Sequence, residues 1–71
     1  MNATFYSART RAGTKIYIAL DQITHIRFVS DKSTDIETTT SIHRVKGEVK
    51  FVRSYIKYLA MRHTVPIRLK L

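Results

Sequence analysis

Apolar and polar positions alternate along most of this chain, and the alternation breaks at a few short polar stretches. Phe5–Arg11 and Lys15–Ala19 read as strands joined by a turn at Ala12-Gly13-Thr14, where Gly13 adopts positive φ without steric cost. Ile16 and Ile18 lie on one face of the second strand, and Lys15 and Tyr17 on the other. Leu20-Asp21-Gln22 forms a tight corner before a strand over His25–Ser30. Asp31-Lys32-Ser33-Thr34 is a second turn. Asp35–Val45 then reads as one long strand, with Ile36, Thr38, Thr40 and Ile42 on one side and Glu37, Thr39, Ser41 and His43 on the other. Its three consecutive threonines disfavour helix because their branched side chains lose χ1 freedom there.

Residues 46–63 carry two periodicities. As a helix, they place Val49, Val52, Ile56, Leu59 and Ala60 on one apolar stripe, and Lys46, Lys50, Arg53 and Lys57 on a basic one. Phe51, Tyr55 and Tyr58 make a third line. As a strand, Val45, Gly47, Val49 and Phe51 alternate with Lys46, Glu48, Lys50 and Val52, and Ser54 caps a short helix over Tyr55–Arg62. Gly47 is costly inside a helix, so the strand-then-helix reading is preferred. Thr64–Leu71 alternates again, and Pro66 predicts an edge strand because it removes a ladder donor. The pattern as a whole predicts one domain over residues 1–71 in the α+β class. It is a small antiparallel β-sheet or partly open barrel of about five strands, with one C-terminal helix and a final edge strand.

Composition agrees with a strand-rich chain. Val, Ile and Thr number 22 of 71 residues, against 9 for Ala and Leu. A chain this short buries only about 60% of its unfolded surface, so a second copy pairing along the apolar final strand is an expected partner. The absence of cysteine excludes disulfides and thiolate metal sites. No apolar run reaches the roughly 20 residues of a membrane span, and Met1–Ala12 does not read as a signal peptide, so a cytoplasmic protein without membrane association is expected.

The cadence of Gly13-Thr14-Lys15-Ile16-Tyr17-Ile18 and Asp21-Gln22-Ile23-Thr24-His25-Ile26, with the later Gly47, Val52, Ser54 and Ile56, resembles the small β-rich bacterial and phage proteins of the FlbD type. These are associated with flagellar and motility regulation. The resemblance covers about residues 12–60 and implies a β-rich shape and a regulatory role. The threonine-rich middle segment is longer than that pattern, and the basic final strand is an addition to it.

Candidate chemistry is narrow. His25, His43 and His63 are spaced by 18 and 20 residues, which matches no metal-ligand motif. Glu37 and His43 share a face of the long strand, but six residues separate them by about 20 Å, too far for acid–base cooperation. With two glycines in all, a phosphate loop is excluded, and neither an enzyme nor a cofactor is expected.

The charge is +8 with neutral histidines and unevenly spread: +3 over residues 1–15, −1 over 31–48 and +6 over 49–71. Bases interleaved with aromatics are the positive signal, since lysine and arginine neutralise phosphates and rings stack on unpaired bases. The candidate nucleic-acid contacts are Lys50, Arg53, Lys57, Tyr58 and Arg62, with Arg9 and Arg11 as helpers. The expectation is a small non-enzymatic module binding DNA or RNA or acting in regulation. The alternative is a protein-interaction or oligomerisation module using the edge of Val65–Leu71, with an acidic protein as partner.

Overall fold

A computed structural model describes residues 4–66. The chain runs β1 (Phe5–Arg9), β2 (Lys15–Ala19), a single 3₁₀ turn (Leu20–Gln22), β3 (Ile23–Ser30), β4 (Ser33–Thr38), β5 (Ile42–Lys46) and α1 (Val49–Arg62). The class is α+β, as the alternation predicts. The strands form two antiparallel sheets, a β1–β2 hairpin and a three-stranded sheet in the order β3-β4-β5. Leu20 N–H donates to the Thr4 carbonyl, and Thr39 N–H to the Gln22 carbonyl, so the 3₁₀ corner ties the hairpin to the larger sheet.

The β1–β2 register pairs Tyr6 with Ile18 and Ala8 with Ile16, which turns these four side chains inward. Leu20, Ile23, Ile26, Ile36 and Val45 continue the same core, and α1 closes it with Val52, Ile56 and Ala60. Leu20, Ile23, Ile36 and Ile56 are fully buried. Each such side chain stabilises the fold by about 1.5–3 kcal/mol relative to an exposed position.

The structure corrects four readings of the sequence. The long strand over Asp35–Val45 is two strands, because the chain turns at Thr39-Thr40-Ser41. Thr38 holds this turn, its hydroxyl accepting from the Thr40 and Ser41 amides while its own amide donates to the Ser41 carbonyl. Threonine here supplies turn chemistry rather than strand propensity. The turn before β4 is shorter than expected: Asp31 and Lys32 alone connect Ser30 to its partner Ser33. Neither takes positive φ, and a register shift between Phe28 and Ser30 accommodates the twist mismatch that such a loop creates.

The third correction concerns the helix, which begins at Val49 instead of Tyr55. Gly47 sits at φ 127°, a conformation that ends β5 and cannot continue as a strand through Phe51. A Cβ at Gly47 would also lie 3.2 Å from Cγ2 of Val52. Helix α1 ends with Thr64 at φ 52°, where Val65 N–H donates to the Ala60 carbonyl and Thr64 N–H to that of Met61. That is a Schellman arrangement with threonine in the position usually held by glycine. Thr64 therefore closes the helix rather than opening a strand, and Val65 and Pro66 have no regular structure. The rest of the expected edge strand lies outside the described residues.

Candidate nucleic-acid interface

Helix α1 has two flanks around its buried stripe. With Val52, Ile56 and Ala60 turned inward, the helical period puts Lys50, Arg53 and Lys57 on one flank and Phe51, Tyr55, Tyr58 and Arg62 on the other. No acidic residue occurs between Val49 and Arg62. The first flank is loosely tied down. Lys50 Nζ lies 3.9 Å from a Glu48 carboxylate oxygen and 5.0 Å from the Phe51 ring centroid. Arg53 reaches the Ile26 carbonyl at 3.5 Å, the outer limit of a hydrogen bond. Among the described residues, Lys57 has neither an ion-pair nor a hydrogen-bond partner.

The second flank is an aromatic ladder. Tyr6, buried on β1, meets Tyr55 edge-on with centroids 5.8 Å apart. Burial, reinforced by Tyr55, raises the Tyr6 phenol above its ordinary value and keeps it neutral. Tyr55 in turn stacks beside Tyr58 at 6.3 Å, and Arg62 donates to the Tyr58 hydroxyl at 3.1 Å. Phe51, Tyr55 and Tyr58 remain half or more exposed. A row of this kind offers π faces at the surface while its inner end is anchored in the core.

Lys50, Arg53, Lys57, Tyr58 and Arg62 are thus brought together on one helix, but on two flanks rather than one stripe. Lys46 belongs to β5 and lies across the Gly47 turn from them. Arg9 projects from β1 on the side opposite Tyr6 and Ala8, the side away from α1. Arg11 lines a concavity of about 700 Å³ with Lys32 and Lys46, where Asp31 and Glu48 offset two of the three positive charges.

On the three-stranded sheet, Asp35 and Glu37 each take a basic partner. Asp35 and Arg44 are opposite each other on β4 and β5 and bond in two places, at 2.9 and 3.1 Å. The Arg44 hydrogen bond holds the Asp35 carboxyl below its ordinary value. Glu37 takes Arg27 at 3.2 Å and lies 3.8 Å from His25. His43 pairs across the ladder with Ile36 and Glu37 with Ile42, so the turn at residues 39–41 puts Glu37 and His43 on opposite faces. His43 bonds Ser41 instead, at 2.9 Å. Among the described residues no three acids or histidines converge to hold a metal ion, and no helix is long and apolar enough to cross a membrane.

Sequence reasoning passed over the outer face of the β1–β2 hairpin as a surface. Phe5, Ser7 and Arg9 of β1 face outward opposite Ala19, Tyr17 and Lys15 of β2. Phe5 is 50% and Tyr17 63% exposed, and Lys15 Nζ lies 5.5 Å from the Tyr17 ring centroid. The signal was present in the alternation of Lys15 and Tyr17 against Ile16 and Ile18, but only the register pairs Arg9 with Lys15. Comparison of the chain with family models, with curated proteins and with solved structures finds no match.

Proposed function

We propose that this chain is a small, basic, non-enzymatic nucleic-acid-binding module of the regulatory kind. Its main contact is the exposed side of α1. The observation that carries this reading is a helix with four exposed bases and no acid, running beside the stacked Tyr55–Tyr58 pair. Lys50, Arg53, Lys57 and Arg62 neutralise phosphates over the helix length of about 21 Å. Tyr58 offers a π face to a base, with Arg62 held beside its hydroxyl. Charge also disfavours the competing use of this exposed face as a seam between two copies. Packing it against itself would crowd like charges that no acid on the helix offsets. The FlbD-type resemblance of residues 12–60 supports a regulatory role, for a protein of bacterial or phage origin, in the cytoplasm of a bacterial cell.

A salt titration tests the reading. Four phosphate contacts give log K a slope near −3 against log salt, because each contact releases about 0.7–0.9 of a counterion. Lys57→Ala lowers that slope by slightly less than one unit and weakens all sequences alike. Its side chain has no ion-pair or hydrogen-bond partner among the described residues, so thermal stability is expected to change little. If no DNA or RNA binds at low salt, the proposal is wrong. The interaction module built on Val65–Leu71, with homodimerisation or an acidic protein partner, then takes its place.

A further inference from the structure

We infer that the outer face of the β1–β2 hairpin is a second contact surface, specific for single-stranded nucleic acid. This rests on the nucleic-acid reading of the chain and narrows it to unpaired strands.

The first observation is how the rings are paired. Phe5 stands opposite Ala19, and Tyr17 opposite Ser7. Each aromatic therefore has a small residue as its cross-strand neighbour and stays at least half exposed, although Lys15 Nζ stands over one face of Tyr17. The two rings lie on a diagonal of the ladder, where neighbouring residues are about 7–8 Å apart and their Cβ atoms somewhat closer. Successive bases of an extended strand bridge such a gap once they are unstacked, whereas bases inside a duplex present only their edges.

The second observation is electrostatic. Arg9 and Lys15 are directly opposite each other, a placement that destabilises a ladder when the charges are alike. The nearest acid in sequence to this hairpin is Asp21, and among the described residues neither base has an ion-pair partner. Arg9 is drawn toward the turn by the Gly13 carbonyl at 2.9 Å, and Lys15 toward the Tyr17 ring. A phosphate chain passing beside the rings relieves this repulsion, and the same bases set its path along the ribbon. The remaining outward positions, Ser7 and Ala19, are small, so the apolar surface of this face is confined to the two rings.

The experiment measures the whole chain by fluorescence anisotropy against a labelled oligothymidylate, a labelled oligouridylate and a blunt duplex. Co-sedimentation with phosphatidylserine-containing vesicles runs alongside. Phe5→Ala and Tyr17→Ala each weaken oligonucleotide binding at least about fivefold, the lower end of what one ring–base stack contributes. The salt slope stays unchanged and duplex binding is unaffected. Arg9→Gln instead lowers the slope on the oligonucleotide by slightly less than one unit. Tyr17→Leu keeps the apolar area but removes the flat face, so it matches Tyr17→Ala in binding while melting as the parent does. Tyr17→Phe restores binding. If the ring variants hold oligonucleotides as the parent does while Lys57→Ala still lowers the slope, this inference fails and the α1 interface stands. If the parent binds no nucleic acid at low salt, both fall. If the ring variants lose vesicle binding alone, the surface is for lipid and the inference is overturned.

Discussion

Thr34 is the one fully buried polar side chain in the described core, and its hydroxyl donates to the Gly47 carbonyl at 2.8 Å. That bond fastens β4 to the junction where β5 gives way to α1. Thr34→Val keeps the shape but leaves the Gly47 carbonyl unpaired, and is expected to cost about 1–2 kcal/mol in urea denaturation. An unchanged midpoint would show that the junction does not depend on this bond. Thr64 presents the opposite case. A β-branched residue at φ 52° is strained, and glycine is not. Thr64→Gly relieves the strain but makes the unfolded chain more flexible, so a net gain of about 0.5–1 kcal/mol is expected. A loss of stability would mean that the threonine side chain contributes more than its backbone costs.

At the scale of the element, residues 46–54 hold the instructive difference. Both periodicities there are real, and local propensity favoured the strand because Gly47 weakens a helix. The glycine instead occupies a junction that needs positive φ, and the helix starts two residues later. Ser54 is consequently an exposed residue within α1 rather than its cap. Ser54→Ala distinguishes the two registers by sign. A cap would lose about 1 kcal/mol, whereas a serine inside a helix gains a few tenths on replacement by alanine. Thermal denaturation followed by circular dichroism is expected to show the gain.

For the whole molecule, charge is the dominant departure from balance. With +8 on 71 residues and few ion pairs, the folded state carries more self-repulsion than mutual attraction. Added sodium chloride screens that repulsion within a Debye length of about 10 Å at 0.1 M. Tm is expected to rise between low and moderate salt, and a fall would mean that the Asp35–Arg44 and Glu37–Arg27 pairs outweigh the net charge. The same salt weakens the proposed nucleic-acid contacts, so stability and affinity move in opposite directions.

The fold class, the β1–β2 hairpin, the corner at residues 20–22 and the shared face of Ile16 and Ile18 follow from the sequence, because burial on one face imposes a period that is visible locally. So does the basic and aromatic character of residues 50–62, which is a matter of composition. The division of the long threonine-rich segment into β4 and β5 was not legible, since threonine serves strands and turns alike and only cross-strand pairing decides between them. Nor was the role of Gly47, whose positive φ is set by where β5 must leave the sheet for α1 to cover the core. That Lys50, Phe51 and Arg53 share one helix with Tyr58 and Arg62 depends on where β5 ends and α1 begins. The opposition of Arg9 and Lys15 depends on a register that only hydrogen bonding between two strands can fix.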